Sequence, residues 1–131
     1  MTMNSSASDD AAVPSDLEKL LPASGSRTLD DYLAMQAAIG DRTRFLVVYT
    51  LATDGPHTPG QLADHVDVRA NTLHYHLNKL SDVGLVETGQ HARSAADAQH
   101  TYYELTPAGR KILDHGVLEL IRRDGTPTGD S

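Results

Sequence analysis

A chain of 131 residues is long enough for one modest hydrophobic core and too short for two, so one domain is expected. It has no cysteine, which excludes a disulfide framework, a thiolate metal site and a cysteine nucleophile. The net charge of −7 has the wrong sign for a simple nucleic-acid binder, and the stretch 41–110 softens this only slightly, with six Lys or Arg against eight Asp or Glu. No apolar leader opens the sequence and no run approaches the ~20 apolar residues of a membrane span. A soluble, cytoplasmic protein without a membrane partner is expected.

Residues 1–15 are mostly Ser, Ala, Asp and Thr without periodicity and are expected to form a disordered tail. Leu17, Leu20 and Leu21 then anchor a turn of helix that Pro22 stops. Thr28 opens a longer helix, in which Leu29, Leu33, Gln36 and Ala37 share a stripe with Tyr32, Asp30 and Asp31 suit the first turn, and Gly40 ends the run. A second helix is expected over 41–52, with Phe45, Val48, Leu51 and Ala52 inward. Its β-branched content makes a strand the rival, and Asp41 as cap favours helix. Asp54-Gly55-Pro56 is a turn. In "TPGQLADHV", Thr58 is an N-cap, Pro59 takes the first helical position and Gln61 closes a capping box, with Leu62 and Val66 inward. After a short turn at Asp67 and Val68 comes "NTLHYHLNKL", a helix that ends at Gly84. Strands are expected over 85–88 and 101–105, separated by a polar stretch longer than the typical hairpin loop. Thr106-Pro107 starts a last helix, expected to run unbroken to about Arg123 with Leu113, Val117, Leu120 and Ile121 on one stripe. From Gly125 a second disordered tail is expected, leaving 16–124 as the folded domain.

The helix at 71–80 carries most of the chemistry. Leu73, Leu77 and Leu80 recur at the spacing that lines one face of a helix. Asn71, Thr72, Tyr75, Asn78 and Lys79 then fall on the opposite face. His74 and His76 lie about 200° apart, so they cannot grip one metal ion together. His76, at the edge of the leucine stripe, reads as a packed structural histidine. Asn71 and Asn78 present a donor and an acceptor together, as an asparagine–adenine contact requires, and Thr72 can bond a base or a phosphate. Arg69 and Lys79 suit phosphates, and Tyr75 offers a ring to a thymine methyl and a hydroxyl to a phosphate. The plainer alternative is the solvated side of a core helix.

Two helices joined by a short turn and followed by a hairpin match a helix-turn-helix with a wing, a mainly α fold with a small β-hairpin and flanking helices. The stretch from "AIGDRTRFLVVYTLA" to "NTLHYHLNKLSDVGLVET" resembles the ArsR-like winged-helix transcriptional regulators. The resemblance is carried by Asp41-Thr43-Arg44, by Thr72-His76-Leu77-Leu80 and by Gly84-Leu85-Val86. The flanks "LDDYLAMQAAIG" and "ILDHGVLELIRR" look like the version found in salt-loving archaea, which would account for the acidic surface.

That resemblance implies a regulator of double-stranded DNA, with a recognition helix at about 70–83 in the major groove. A wing at about 85–105 would lie on the backbone or minor groove, where Arg93 is the basic residue of the loop. It also implies a homodimer through the first and last helices. Metal-sensing members use cysteines, or a spaced Asp/His set on the last helix. This sequence has no cysteine and supplies there only Asp114 and His115, about 100° apart, so no metal or other cofactor is expected. No glycine-rich phosphate loop, nucleophile elbow or His-Glu-x-x-His is present, which argues against an enzyme. The competing function is a winged-helix protein–protein interaction module of the transcription machinery. An acidic recognition surface would favour it, and Asp82 is the sole carboxylate over 71–83. No effector site is legible.

Overall fold

The structure, a computed structural model, describes residues 12–22, 25, 27–89 and 101–125. In chain order the elements are α1 (Ser15–Leu20), α2 (Leu29–Ile39), α3 (Arg42–Asp54), α4 (Pro59–Val66), α5 (Ala70–Asp82), β1 (Val86–Gly89), β2 (Tyr102–Leu105), α6 (Pro107–Asp114) and α7 (Val117–Gly125). The chain divides into two compact units, Met1–Tyr32 and Leu33–Ser131, a boundary that falls within the 16–124 span expected as the folded domain. In the first unit α1 has no buried residue. There, too, Thr28 and Asp31 cap the start of α2 reciprocally, the Thr28 amide donating to Oδ2 of Asp31 at 2.8 Å and the Asp31 amide to Oγ1 of Thr28 at 3.2 Å.

The second unit holds the core. Its fully buried side chains come from α3 (Val47, Val48), α4 (Leu62), α5 (Leu73, Leu77, Leu80), the approach to β1 (Leu85) and α6 (Leu113). Each buried leucine contributes about 1.5–3 kcal/mol relative to exposure. Caps set the helix starts. Asp41 accepts the Arg44 amide at 3.0 Å, Thr58 and Gln61 form the capping box with Pro59 in the first turn, and Thr106 accepts the Gly109 amide at 3.0 Å. Asp67, in the left-handed region at φ 57°, closes α4 and turns the chain toward α5.

The end of α5 aims the hairpin. Gly84, at φ 79°, gives its amide to the Ser81 carbonyl at 3.0 Å, while the Leu85 amide bonds the Leu80 carbonyl at 3.0 Å. This Schellman arrangement uses the left-handed freedom of glycine to leave the helix in one step. It also explains why β1 starts at Val86 rather than at the expected Leu85, whose amide is committed to α5. β1 and β2 pair antiparallel with Val86 opposite Leu105 and Gly89 opposite Tyr102. A bridge between His57 and Tyr103, with amide-to-carbonyl bonds of 3.1 and 2.8 Å, ties the α3–α4 turn to β2.

The structure decides the faces of α2 and corrects two expectations about packing, in α3 and in the last helix. In α2 the buried face is Met35, Ala38 and Ile39, whereas Leu33, Gln36 and Ala37 are exposed. The helix turns its small and aliphatic C-terminal residues inward, and of the stripe only Leu29 and Tyr32 are half-buried. In α3, Val47 and Thr50 join Val48 and Leu51 inside, while Phe45 and Ala52 are only half-buried. The last helix is broken at His115 and Gly116 into α6 and α7. A side chain at Gly116 would stand 2.9 Å from the Ile112 carbonyl, so only glycine permits this tight break. The break shifts the helical phase. Leu113 and Leu118 are buried, and Val117, Leu120 and Ile121 are 48%, 62% and 54% exposed.

Candidate nucleic-acid interface

Helix α5 is built on its leucines. With Leu73, Leu77 and Leu80 fully buried, Asn71, Thr72, Tyr75, Asn78 and Lys79 are all exposed and share the outer face, as the spacing predicts. Arg69 is the residue before the first turn, exposed and with no side-chain cap bond. Asn71 accepts the Thr72 amide through Oδ1 at 2.9 Å, so its side-chain NH2 remains available to a partner. The Lys79 ammonium lies 5.5 Å from the centre of the Tyr75 ring one turn away, a cation–π contact that holds both side chains over the outer face. The face is therefore polar and mildly basic, with Asp82 at its far end. Arg93, His91 and His100 lie outside the described residues.

His76 does not belong to that face. Arg44 reaches across from α3, donating through Nη1 to Nδ1 of His76 at 3.0 Å and through Nε to the Ala38 carbonyl at 2.6 Å. A guanidinium can only donate, so Nδ1 of His76 accepts, and the neutral ring carries its proton on Nε2. The carboxylate of Asp41 lies 3.8 Å from the same Nδ1, too far for a hydrogen bond, and the shorter Arg44 contact governs the ring. The Asp41 carboxyl is held below its ordinary value of 3.8, chiefly by the hydrogen bond from the Arg44 amide and further by the Arg44 charge, against partial burial that works to raise it. Asp41, Arg44 and His76 thus form a lock that joins the end of α2, the start of α3 and the inner edge of α5. The sequence marked His76 as structural but gave no sign that Arg44 is its partner, since the two are 32 positions apart.

The comparisons agree with this architecture. Residues 39–89, from the end of α2 through β1, match a family described as a helix-turn-helix domain. A homodimeric winged helix-turn-helix DNA-binding domain from Mycobacterium bovis, described as a possible ArsR-family transcriptional regulator, is similar with a TM-score of 0.60. It is 18% identical, over 88% of this chain and 93% of that one. NolR from Sinorhizobium fredii is similar at 0.59 and 24% identity, over 88% and 97% of the two chains. A MarR family transcriptional regulator from Silicibacter pomeroyi gives 0.59 and 25% identity over 70% of this chain, which spans 59% of that one. No curated protein matches the chain. The fold is a winged helix-turn-helix, with α4 and α5 as the helix-turn-helix and β1–β2 as the wing. Among the described residues no helix is long and apolar enough to cross a membrane.

Proposed function

We propose that the chain is a sequence-specific transcriptional regulator that binds double-stranded DNA, with α5 in the major groove and the β1–β2 hairpin against the backbone or minor groove. The observation that carries this is the outer face of α5, a continuous exposed row of amide, hydroxyl, phenol and ammonium groups on a helix whose other face is fully buried. Asn71, Thr72, Tyr75 and Asn78 supply base contacts, Arg69 and Lys79 bind phosphates, and Arg93 serves the wing. The protein acts in the cytoplasm as a regulator and not an enzyme, and its acid-rich surface suits the salt-loving archaeal type. It works as a homodimer through its first and last helices, a reading supported by Leu33, Val117, Leu120 and Ile121, large apolar side chains that stay about half exposed or more and that a second copy would cover. Twofold pairing would present two recognition helices to half-sites about 34 Å apart.

Selection of binding sites from a random duplex library, followed by mobility shifts, tests the proposal. Tyr75→Ala and Thr72→Ala are expected to weaken binding to the selected site while leaving thermal stability nearly unchanged. Leu77→Ala is expected instead to destabilise the fold by about 2–5 kcal/mol as a buried large-to-small change. Recovery of no preferred sequence, or unaltered binding by both surface variants, would overturn the assignment in favour of a protein-binding winged module.

A further inference from the structure

The turn between α3 and α4 brings together three side chains that the DNA-binding face does not use. Asp54 is the last residue of α3, His57 lies in the bridge to β2, and His65 occupies the last turn of α4. Their ligand-type atoms all lie within 4.8 Å of one another. Nε2 of His65 is 3.4 Å from Oδ2 of Asp54, and the His57 and His65 rings meet edge to face with centres 5.4 Å apart.

We propose that Asp54, His57 and His65 form a binding site for a divalent transition-metal ion of the zinc class, two imidazole nitrogens and one carboxylate oxygen leaving a fourth position open to water. The donor set is the borderline nitrogen–oxygen type that Zn2+ and Co2+ favour over Mg2+ or Ca2+. Nδ1 of His57 is already bonded to the Gly55 carbonyl at 2.7 Å, which leaves the lone pair of Nε2 for a ligand bond. Orientation of a ligand histidine by a backbone carbonyl on its other nitrogen is the usual outer-shell arrangement. Bonds of about 2.1 Å meeting at tetrahedral angles set donors about 3.4 Å apart, so the Asp54–His65 separation of 3.4 Å already fits and the others, all within 4.8 Å, close by about 1.4 Å at most. Asp54 and His65, with side chains 48% and 50% exposed, can rotate to do so without disturbing the core. Asp54 has a further need for a cation. It sits at the negative pole of α3, where a carboxylate is disfavoured and a bound positive charge offsets the repulsion. The site lies apart from the outer face of α5, and its existence does not depend on DNA binding.

Calorimetric titration of the full chain with Zn2+, after chelator treatment, tests the site, together with the visible absorption of added Co2+. One equivalent is expected to bind and to give the intense bands of tetrahedral cobalt. His65→Gln, His57→Gln and Asp54→Asn should each weaken binding by about tenfold or more, and His74→Gln, an exposed histidine outside the cluster, should not. His65→Gln and Asp54→Asn alter half-exposed side chains, so circular dichroism will show them folded like the parent. Absence of stoichiometric binding, or equal affinity in the folded His65→Gln and Asp54→Asn variants, would overturn the proposal. So would loss of binding in His74→Gln. None of these readouts involves DNA, so their failure leaves the regulator assignment where it stands.

Discussion

Two glycines near the starts of two similar helices should respond in opposite directions to the same substitution. Gly60 follows Thr58-Pro59 in α4, and Gly109 follows Thr106-Pro107 in α6. In a helix, Gly→Ala ordinarily stabilises by about 0.5–1 kcal/mol, because alanine loses less backbone entropy on folding. At Gly60 an added methyl would meet nothing closer than Oγ1 of Thr58 at 4.0 Å, so that gain should be realised. At Gly109 the methyl would fall onto the Leu85 carbonyl oxygen, closer than non-bonded atoms can approach, and within 2.7 Å of Cδ1 of Leu105. The leucine side chain can turn away, but the carbonyl is pinned by the Thr106 amide at 3.1 Å. Helix α6 must therefore retreat from the base of the hairpin. Overpacking of this kind costs about 1–3 kcal/mol, and a backbone obstacle places it near the top of that range. After the propensity gain, a net loss of about 2 kcal/mol remains. At about 4–8 °C per kcal/mol for a domain of this size, Gly60→Ala should melt a few degrees above the parent and Gly109→Ala roughly 8–16 °C below it. Thermal unfolding followed by far-ultraviolet circular dichroism measures both. Stabilisation by Gly109→Ala would refute the close approach of α6 to Leu85.

Asp41→Asn keeps a capping oxygen but removes the charge. Because the folded-state value of Asp41 is lowered, its charge contributes stability above pH 3.8 that disappears as pH falls through the lower folded value. The parent should therefore melt above Asp41→Asn at pH 6, and the two should converge toward pH 2; a gap independent of pH would exclude the charge. Leu120→Glu places a carboxylate on the exposed apolar part of α7 and should convert a dimer to monomers by sedimentation at micromolar concentration, whereas a parent that is monomeric with and without its DNA would sink the dimer. With Arg69 and Lys79 as its basic groups, α5 should show a shallow salt dependence, losing about tenfold in affinity per protomer between 50 and 200 mM potassium chloride and roughly 150-fold as a dimer, where a protein with many phosphate contacts loses about a thousandfold or more. A slope as steep as that of a basic repressor would contradict this.

Local signals were legible in the sequence and phase across a break was not. Thr58-Pro59-Gln61, Asp41 and Thr106-Pro107 announce helix starts because a cap is written in adjacent residues, and the Leu73, Leu77, Leu80 stripe settles both faces of α5. The last helix misled because "ILDHGVLELIRR" keeps an apolar periodicity straight through Gly116, whose role shows only when the Ile112 carbonyl is in place. In α2, aliphatic residues occur on both faces, and periodicity alone could not tell which faced inward. Arg44 with His76, and Asp54 with His57 and His65, are products of tertiary proximity. In both groups the partners come from different elements, and no spacing rule in one helix reaches them.

The lock at Asp41, Arg44 and His76 bears on how such a scaffold can change its target. Asp41, Arg44 and His76, which belong to the most recognisable signature of the sequence, are occupied in fastening α5 to its neighbours, while Asn71, Thr72, Tyr75 and Asn78 lie exposed on its outer face, Tyr75 meeting the His76 ring edge to face. Frame and reading head are thus separable. On the proposed function, exchange of the four outer positions would graft a different operator preference onto an unaltered chassis, and the Asp41, Arg44 and His76 part of the signature would mark common construction without marking a common target.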